Sequence, residues 1–408
     1  MPLDDLLEHD HQARLVWDFC RGIDLTTLYD RIRSREGGPG RAALDPRLGV
    51  ALWLYATLEG VGSARALDYL CRHHHAFRWL VGGVSVNHHT LSDFRVDHVD
   101  VLDRLLTHSV AVLRDQDLVD LNRVAQDGLR VRASAGAASF RRRPTLQEHL
   151  DEAEDQVRRL KAELEDDPGG PNRRQTQARQ RAARERAARL RRALERLPEL
   201  EAKKKPGEKD QARASTTDPE ATVMKMADGG YRPAYNVQYA VATAGQVIVG
   251  VDVSTSGSDV GQMPPMVDQV EGRFGQRPRE WLADGGFVTA HQDLEAVSRP
   301  PADGGAGTVV YAPVPKPRVA GIDRYAPRRT DSPAVAAWRA RMATAAAQAV
   351  YQERASTVEC VNAQARNRGL VRLLVRGVEK VKAVALWFAI AHNVVCGGRL
   401  RAGVAATG

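Results

Sequence analysis

The sequence is short of three things, and each shortage excludes a class of protein. Cysteine is scarce: Cys20, Cys71, Cys360 and Cys396 lie far apart in 408 residues and form no CxxC pair. Neither a disulfide-stapled domain nor a cysteine-based zinc site is therefore expected, but reduced, buried thiols in a cytoplasmic protein are. Long apolar runs are missing too. No stretch reaches the roughly 18 uncharged apolar residues that a membrane-spanning helix needs, and the longest, at 50–55 and 383–391, have the length of buried helices. The opening MPLDDLLEHDHQARL is acidic and has no apolar leader core, so neither export nor a membrane partner is expected. Strong charge bias is the third absence. With 59 Lys+Arg against 51 Asp+Glu the formal net charge is only +8, so a polyanionic partner has to be sought in how the charge is distributed.

What is present is a globular composition, 43% hydrophobic, over a length that suits two or three domains. Residues 45–113 read as short helices. Asp45-Pro46 is a helix start, Gly60 and Gly62 break the pattern, and Ser63 can cap a second helix over 64–71. A last helix is expected from about 90 to 113. Short helices joined by glycine turns suit a helix-turn-helix-like domain. On the last of them Ser92 and Arg95 fall one turn apart and can face a groove or phosphates. Cys71, His73-His74-His75 and His88-His89 offer zinc-ligand types, but adjacent helical residues point different ways and no second pair completes a tetrahedral set.

Residues 145–205 differ sharply. Thr145-x-x-Glu148 forms a capping box after Pro144. Leu146, Leu150, Ala153, Val157, Leu160 and Leu164 then repeat at steps of four and three, and after a turn at 167–172 so do Ala183, Ala187, Leu190, Leu194 and Leu197, as far as Pro198. This is an antiparallel helical hairpin with a coiled-coil seam. Its first arm, 145–167, carries nine acids against three bases, and its second, 173–205, thirteen bases against four acids. Either the arms neutralise each other or the basic arm tracks DNA. Arg141, Arg142 and Arg143, just before the hairpin, fit a phosphate backbone or a solvated loop equally well.

The flanking chain reads as one split α/β domain. Strand patterns at 121–133, 236–243, 246–253, 280–283 and 308–311 alternate, from 264 onward, with helices at 264–274, 289–298 and 334–399, the last broken at Gly369 and Gly377. Three acids stand out there. Asp127 lies in a strand and Asp284 ends one, each followed by glycine, and Glu359 lies in a helix. Acids gathered at a sheet edge repel one another unless a cation lies between them, and hard oxygen ligands select Mg²⁺ or Mn²⁺. Two such ions can support in-line attack on phosphate.

These stretches resemble those of bacterial insertion-sequence transposases of the DDE class, over nearly the whole chain. The segment DPRLGVALWLYATLEGVGSARALDYLCRHHHAFRWLVGGVSVNHHTLSDFR resembles their N-terminal helical domain. AQDGLRVRASA resembles the first-acid motif and WLADGGF the second, while STTDPEATVMKMADGGYRPAYNVQYAV resembles the return to the sheet after an insertion. YQERASTVECVNAQARNRGL resembles the third-acid helix, with Tyr351, Arg354, Glu359 and Arg366 in the family's pattern, and RGVEKVKAVALWFAIAHNV resembles the closing helix. Many relatives have an aromatic-glycine pair and a lysine after the third acid, where Asn362-Ala363 and Arg366 stand here.

The resemblance implies an α/β ribonuclease-H-like catalytic core (119–144 and 206–408), interrupted by the helical hairpin (145–205) and preceded by an all-α DNA-binding domain (1–118). It implies Asp127, Asp284 and Glu359 as catalytic ligands of two Mg²⁺ or Mn²⁺ ions, with DNA contacts from Tyr351, Arg354 and Arg366. It also implies double-stranded DNA, both element ends and target, as partner, a homodimer on that DNA, and a cytoplasmic, nucleoid-associated location. Glu353 competes for the third-acid role but lies on another helical face, and Asp228 and Asp259, alternatives to Asp284, read as solvated loop residues. A nuclease on the same core without strand transfer, and a non-catalytic DNA-binding protein, are the alternative readings.

Overall fold

In the computed structural model, which describes residues 3–32, 43–166, 172–300, 304–317, 319 and 321–407, the N-terminal region is helical. It comprises α1 (Gln12–Gly22), α2 (Thr26–Tyr29), α3 (Pro46–Leu58), α4 (Ala64–His73), α5 (His75–Val81), α6 (His88–Val96) and α7 (Val99–Asp115). The local reasons follow from the residues. Asp45 caps α3 by accepting the Arg47 N–H at 2.7 Å, with Pro46 in the first turn where its missing N–H is harmless. Gly60, at φ +69°, turns the chain out of α3, and Ser63 Oγ accepts from Ala66 at the start of α4. The single helix expected over 90–113 is two, because His98 leaves helical geometry at φ −128°, ψ 36° and starts α7 afresh.

A mixed sheet follows. Its middle strand, β1 (Arg123–Arg132), is followed by a two-stranded clip of β2 (Phe140–Arg141) and β3 (Ala214–Ser215), and then by β4 (Thr222–Lys225). β5 (Tyr231–Ala242) runs antiparallel to β1 along its whole length, with β4 and β6 (Ile248–Ser254) antiparallel to successive parts of β5. On the other side β7 (Glu280–Leu282) is parallel to β1, and β8 (Val309–Tyr311) is parallel to β7. The order across the sheet is thus β6-β5-β1-β7-β8.

Between β3 and the clip's other strand the chain leaves the sheet as α8 (Arg143–Asp166) and returns as α9 (Arg173–Ala202). Leu146, Leu150, Ala153 and Leu160 face Ala183, Ala187, Leu190, Ala193 and Leu197 in a buried seam. Nearer the tip the seam turns polar, with Thr176 Oγ1 donating to Glu163 at 3.0 Å. Two boundaries differ from expectation. α8 starts at Arg143, so Thr145 lies within the first turn rather than at a cap. α9 runs through Pro198 to Ala202, since proline removes one hydrogen bond without cutting the packing on either side. Of the turn expected at 167–172, residues 167–171 lie outside the described residues.

The remaining helices are α10 (Met263–Phe274), α11 (His291–Ser298), α12 (Pro333–Met342), α13 (Ala345–Arg354), α14 (Cys360–Asn367) and α15 (Val378–Thr407). α15 is long and apolar enough to cross a bilayer on length and composition alone, but 83% of its apolar window is buried inside the molecule. It lies between the sheet and the N-terminal helices. The Asn393 side chain pairs with both backbone groups of Ile248, at 2.8 and 2.7 Å, locking α15 to edge strand β6. The stretch that begins STTDPE anchors the other end. Asp218 accepts from Tyr235 Oη at 2.7 Å and the Gly377 N–H at 3.2 Å, and Glu220 accepts the Val378 N–H at 2.6 Å, occupying free donors at the start of α15. The buried apolar residues of the N-terminal helices, the sheet and α15 form one continuous core, while the root of the hairpin has a small core of its own.

Candidate active site

Three elements remote in sequence approach the middle of β1, just past the end of β7. Asp127 lies just past the point where β7 stops: Ala125 pairs with Leu282, and the same register carries Asp284, two residues beyond β7, level with Asp127. The Asp284 carboxylate accepts the Gly286 N–H at 2.7 Å, which fixes it at the head of a tight turn. Glu359 arrives from the junction of α13 and α14, where residues Ala355–Glu359 form a π-helical turn. An α-helix sets residues five apart roughly 140° around its axis. The wider π turn brings such a pair to one side, and such bulges recur at functional sites.

Arg354 is the residue so paired. Its guanidinium forms an ion pair with Asp127 Oδ1 at 2.9 Å and makes a short contact with Glu359 Oε1, so one cation bridges two acids. Asn362 Nδ2 donates to the other Asp127 oxygen at 2.9 Å, three residues after Glu359 on the next turn. Burial pushes the Asp127 carboxyl up to about 6; Arg354 pulls it down, less strongly, and the Asp284 charge adds to the rise. The Tyr351 hydroxyl is raised by burial and, beyond it, by the charges of Asp284, Glu359 and Asp127, with Arg354 opposing. Asp127, Asp284, Glu359, Tyr351 and Arg354 therefore share one electrostatic neighbourhood.

Carboxylate oxygens are the donors a hard divalent cation takes, and the carbonyl oxygen of Asn362, in a residue 2% exposed beside Asp127, has no hydrogen-bond partner. The donor set fits Mg²⁺ or Mn²⁺. Among the described residues no three acidic, histidine or cysteine side chains are gathered closely enough to hold an ion; Arg354 supplies the positive charge between Asp127 and Glu359.

The other expected residues are placed differently. Arg366 is exposed on α14 and Ser92 on α6. Arg95 points inward instead of toward a groove: it donates to the Gly62 carbonyl and stacks 4.7 Å over the Trp53 ring, and burial lowers its pKa to about 10. At the hairpin root Arg141 donates to the Phe140 carbonyl at 3.3 Å, Arg142 is exposed and Arg143 pairs with Glu201 at 2.8 Å. Glu353 pairs with Arg123 at 2.5 Å, and exposed Asp228 with Arg232 at 2.7 Å. Asp259 is not a solvated loop residue. Its side chain is 11% exposed and accepts from Asn236 and Gln238, both at 2.8 Å. Its setting between Ser256, Ser258 and Gly261 reads as loop in sequence, and only the pairing of β5 brings the two amides to it.

Comparison with known proteins follows the same outline. Residues 1–97 match a transposase domain family (DUF772), and residues 325–395, which include Tyr351, Arg354, Glu359 and Arg366, match a transposase DDE domain. Neither the curated proteins nor the solved structures compared with the chain gave a match. With a transposase domain at one end and a DDE domain at the other, the chain is identified as an insertion-sequence DDE transposase.

Proposed function

We propose that the chain binds the terminal inverted repeats of its own insertion sequence and catalyses metal-dependent strand cleavage and strand transfer into target DNA. The observation that carries this is the Arg354 guanidinium pairing with both Asp127 of β1 and Glu359 of the π turn, with Asp284, just past β7, level with Asp127 on the neighbouring strand. The strand arrangement supports a ribonuclease-H-like core: three antiparallel strands followed by two parallel ones, with the first acid on the central strand and the second at the end of its parallel neighbour. Fold analogy alone assigns no function, and the acids do that work.

Asp127, Asp284 and Glu359 would hold Mg²⁺ or Mn²⁺, two ions at full loading. Bound there, these ions would sharpen the attacking oxygen and neutralise charge on the phosphate. The protein's own part is positional. Asn362 holds one oxygen of the Asp127 carboxylate and Arg354 faces the other, which fixes how that carboxylate is turned. The exposed Arg366 carries a planar guanidinium fork suited to paired phosphate oxygens, whereas Arg354, expected to meet DNA, is buried and committed to Asp127 and Glu359. Tyr351, beside all three acids, is set to orient the scissile strand. In this reading residues 1–118 recognise the element end, with Ser92 on their outer face, and 119–144 with 206–408 carry out the chemistry. The hairpin of 145–205 adds a basic arm, two copies pair the two ends, and the protein works in the bacterial cytoplasm.

The test uses purified full-length chain, Mg²⁺, a pre-cut inverted-repeat oligonucleotide and plasmid target. Joined product is expected, and Asp127→Ala, Asp284→Ala and Glu359→Ala should each lower joining about a thousandfold, the several kcal/mol that metal-supported phosphoryl transfer carries. Cleavage without joining would point to a nuclease. Joining that survives all three changes would sink the site.

A further inference from the structure

Gly128, directly after Asp127, and Gly286, two residues after Asp284, share a neighbour, Asp259. Neither Gly128 nor Gly286 has positive φ, so backbone conformation does not demand them; space does. A Cβ on Gly128 would stand 2.5 Å from Asp259 Oδ1 and equally close to Gln238 Nε2. A Cβ on Gly286 would stand 2.9 Å from Asp284 Oδ1 and 3.6 Å from Asp259 Oδ2. At Gly128 the space is shared by Asp259, Gln238 and the still nearer Asn236 Oδ1, and at Gly286 it is taken by Asp284's own carboxylate with Asp259 in ordinary contact behind it; the Asp259 carboxylate is the group that reaches both backbone segments.

That carboxylate is itself held from several strands. Asn236 and Gln238 of β5 both donate to Oδ1, and Arg130 of β1 faces Oδ2 at 3.9 Å while donating to the Lys225 and Gly257 carbonyls. Gln126, the residue before Asp127, donates to Gln238 at 3.0 Å and accepts from the Trp281 indole of β7 at 3.2 Å. The network therefore ties the flanks of Asp127 and Asp284 to a single post. Asn236, fully buried, leaves its own carbonyl oxygen unpartnered to maintain this arrangement, a cost rarely accepted without a return.

We infer that Asp259 is a positioning residue: resting on the metal-site reading above, it sets the separation of the Asp127 and Asp284 backbones and hence the affinity of that site for a divalent cation. It touches neither ion nor DNA. Groups that orient ligands from behind commonly change metal affinity about 10- to 100-fold when removed.

The experiment measures Mn²⁺ binding to the full-length chain without DNA, from the paramagnetic resonance signal of free Mn²⁺, with circular dichroism melting as the check on folding. Asp259→Ala and Gly128→Ala are each expected to weaken binding about tenfold, and the double variant no more than the worse single, since both disturb one contact. Asp259→Asn keeps the oxygen to which both amides donate and should stay within about threefold of wild type. Should the alanine variant fail to fold, Asp259→Ser replaces it. Folded Asp259→Ala (or Asp259→Ser) with wild-type Mn²⁺ affinity, or single effects that multiply in the double, overturn the inference. Asp127→Ala separates the two levels. If it loses Mn²⁺ while the Asp259 variants do not, only the positioning role fails. If the wild type takes up no Mn²⁺, or Asp127→Ala takes it up unchanged, the metal site fails and the positioning role with it.

Discussion

At the scale of the residue, the energetics of the site centre on Asp127. Its carboxyl is 19% exposed and lies between an arginine that favours the charge and a second acid that opposes it, while burial outweighs both and sets its pKa at about 6. A carboxyl whose proton is held more tightly in the folded than in the unfolded chain adds stability below its unfolded pKa, and that stability is lost as the pH rises through 6. In chelator, the wild-type chain should therefore lose on the order of 2 kcal/mol between pH 4 and pH 7 through this group alone. Asp127→Asn, with no proton to release, should lack this loss and gain on wild type by about as much across the window. Urea unfolding of both proteins across this range measures the difference; parallel profiles would mean that Arg354 fully offsets the burial. A bound divalent cation favours the charged carboxylate, so this group's loss should disappear from the wild-type profile when Mn²⁺ is present.

At the scale of the element, the hairpin raises a question that its ion pairs answer only in part. Arg186 with Glu152 at 3.3 Å and Arg191 with Glu154 at 2.7 Å neutralise charge across the two arms. Arg174, Arg179, Arg181 and Arg192 are exposed and have no acid partner among the described residues. If these four meet phosphates, changing them together to glutamate should flatten the salt dependence of DNA binding by about 3.6 units of log K per log salt, about 0.9 per contact. Anisotropy titrations from low to moderate salt read this directly; an unchanged slope would leave the arm with an internal role only. Such elements were legible in sequence because their spacing is local: the seam of 146–197 and the strand-ending Asp284-Gly-Gly follow from period and turn chemistry. What depends on long-range pairing was not. Arg95 has the spacing of a surface residue, but α15 covers that face and turns it toward Trp53. The π turn that pairs Arg354 with Glu359 leaves no periodic mark, since one extra residue in a helix reads as a small shift of phase. Asp259 was obscured by the serines and glycines around it, whose ordinary meaning is solvent.

At the scale of the whole molecule, the N-terminal helices and the sheet are joined through α15. Trp387, 1% exposed, donates its indole N–H to the Arg95 carbonyl at 2.9 Å and lies 6.4 Å from the Phe94 ring, while Arg95 itself holds the turn after α3. On the opposite side of the same helix Asn393 grips β6, and Phe388 packs 5.6 Å from Tyr239. A side chain that joins two parts of one core should weaken both when it is removed. Trp387→Ala should cost about 3–5 kcal/mol, the range for deleting a buried aromatic ring. Trp387→Phe, which keeps most of the ring but leaves the Arg95 carbonyl unpaired, should cost about 1–3 kcal/mol. Fluorescence from Trp53 in the N-terminal helices and from Trp281 in the sheet, each observed in a chain with the other tryptophans changed to phenylalanine, distinguishes the possibilities. Both signals should shift to lower urea together when Trp387→Ala takes the place of Trp387→Phe in these chains. If Trp53 moves while Trp281 stays, the N-terminal helices fold as a separate unit and α15 belongs to the sheet alone.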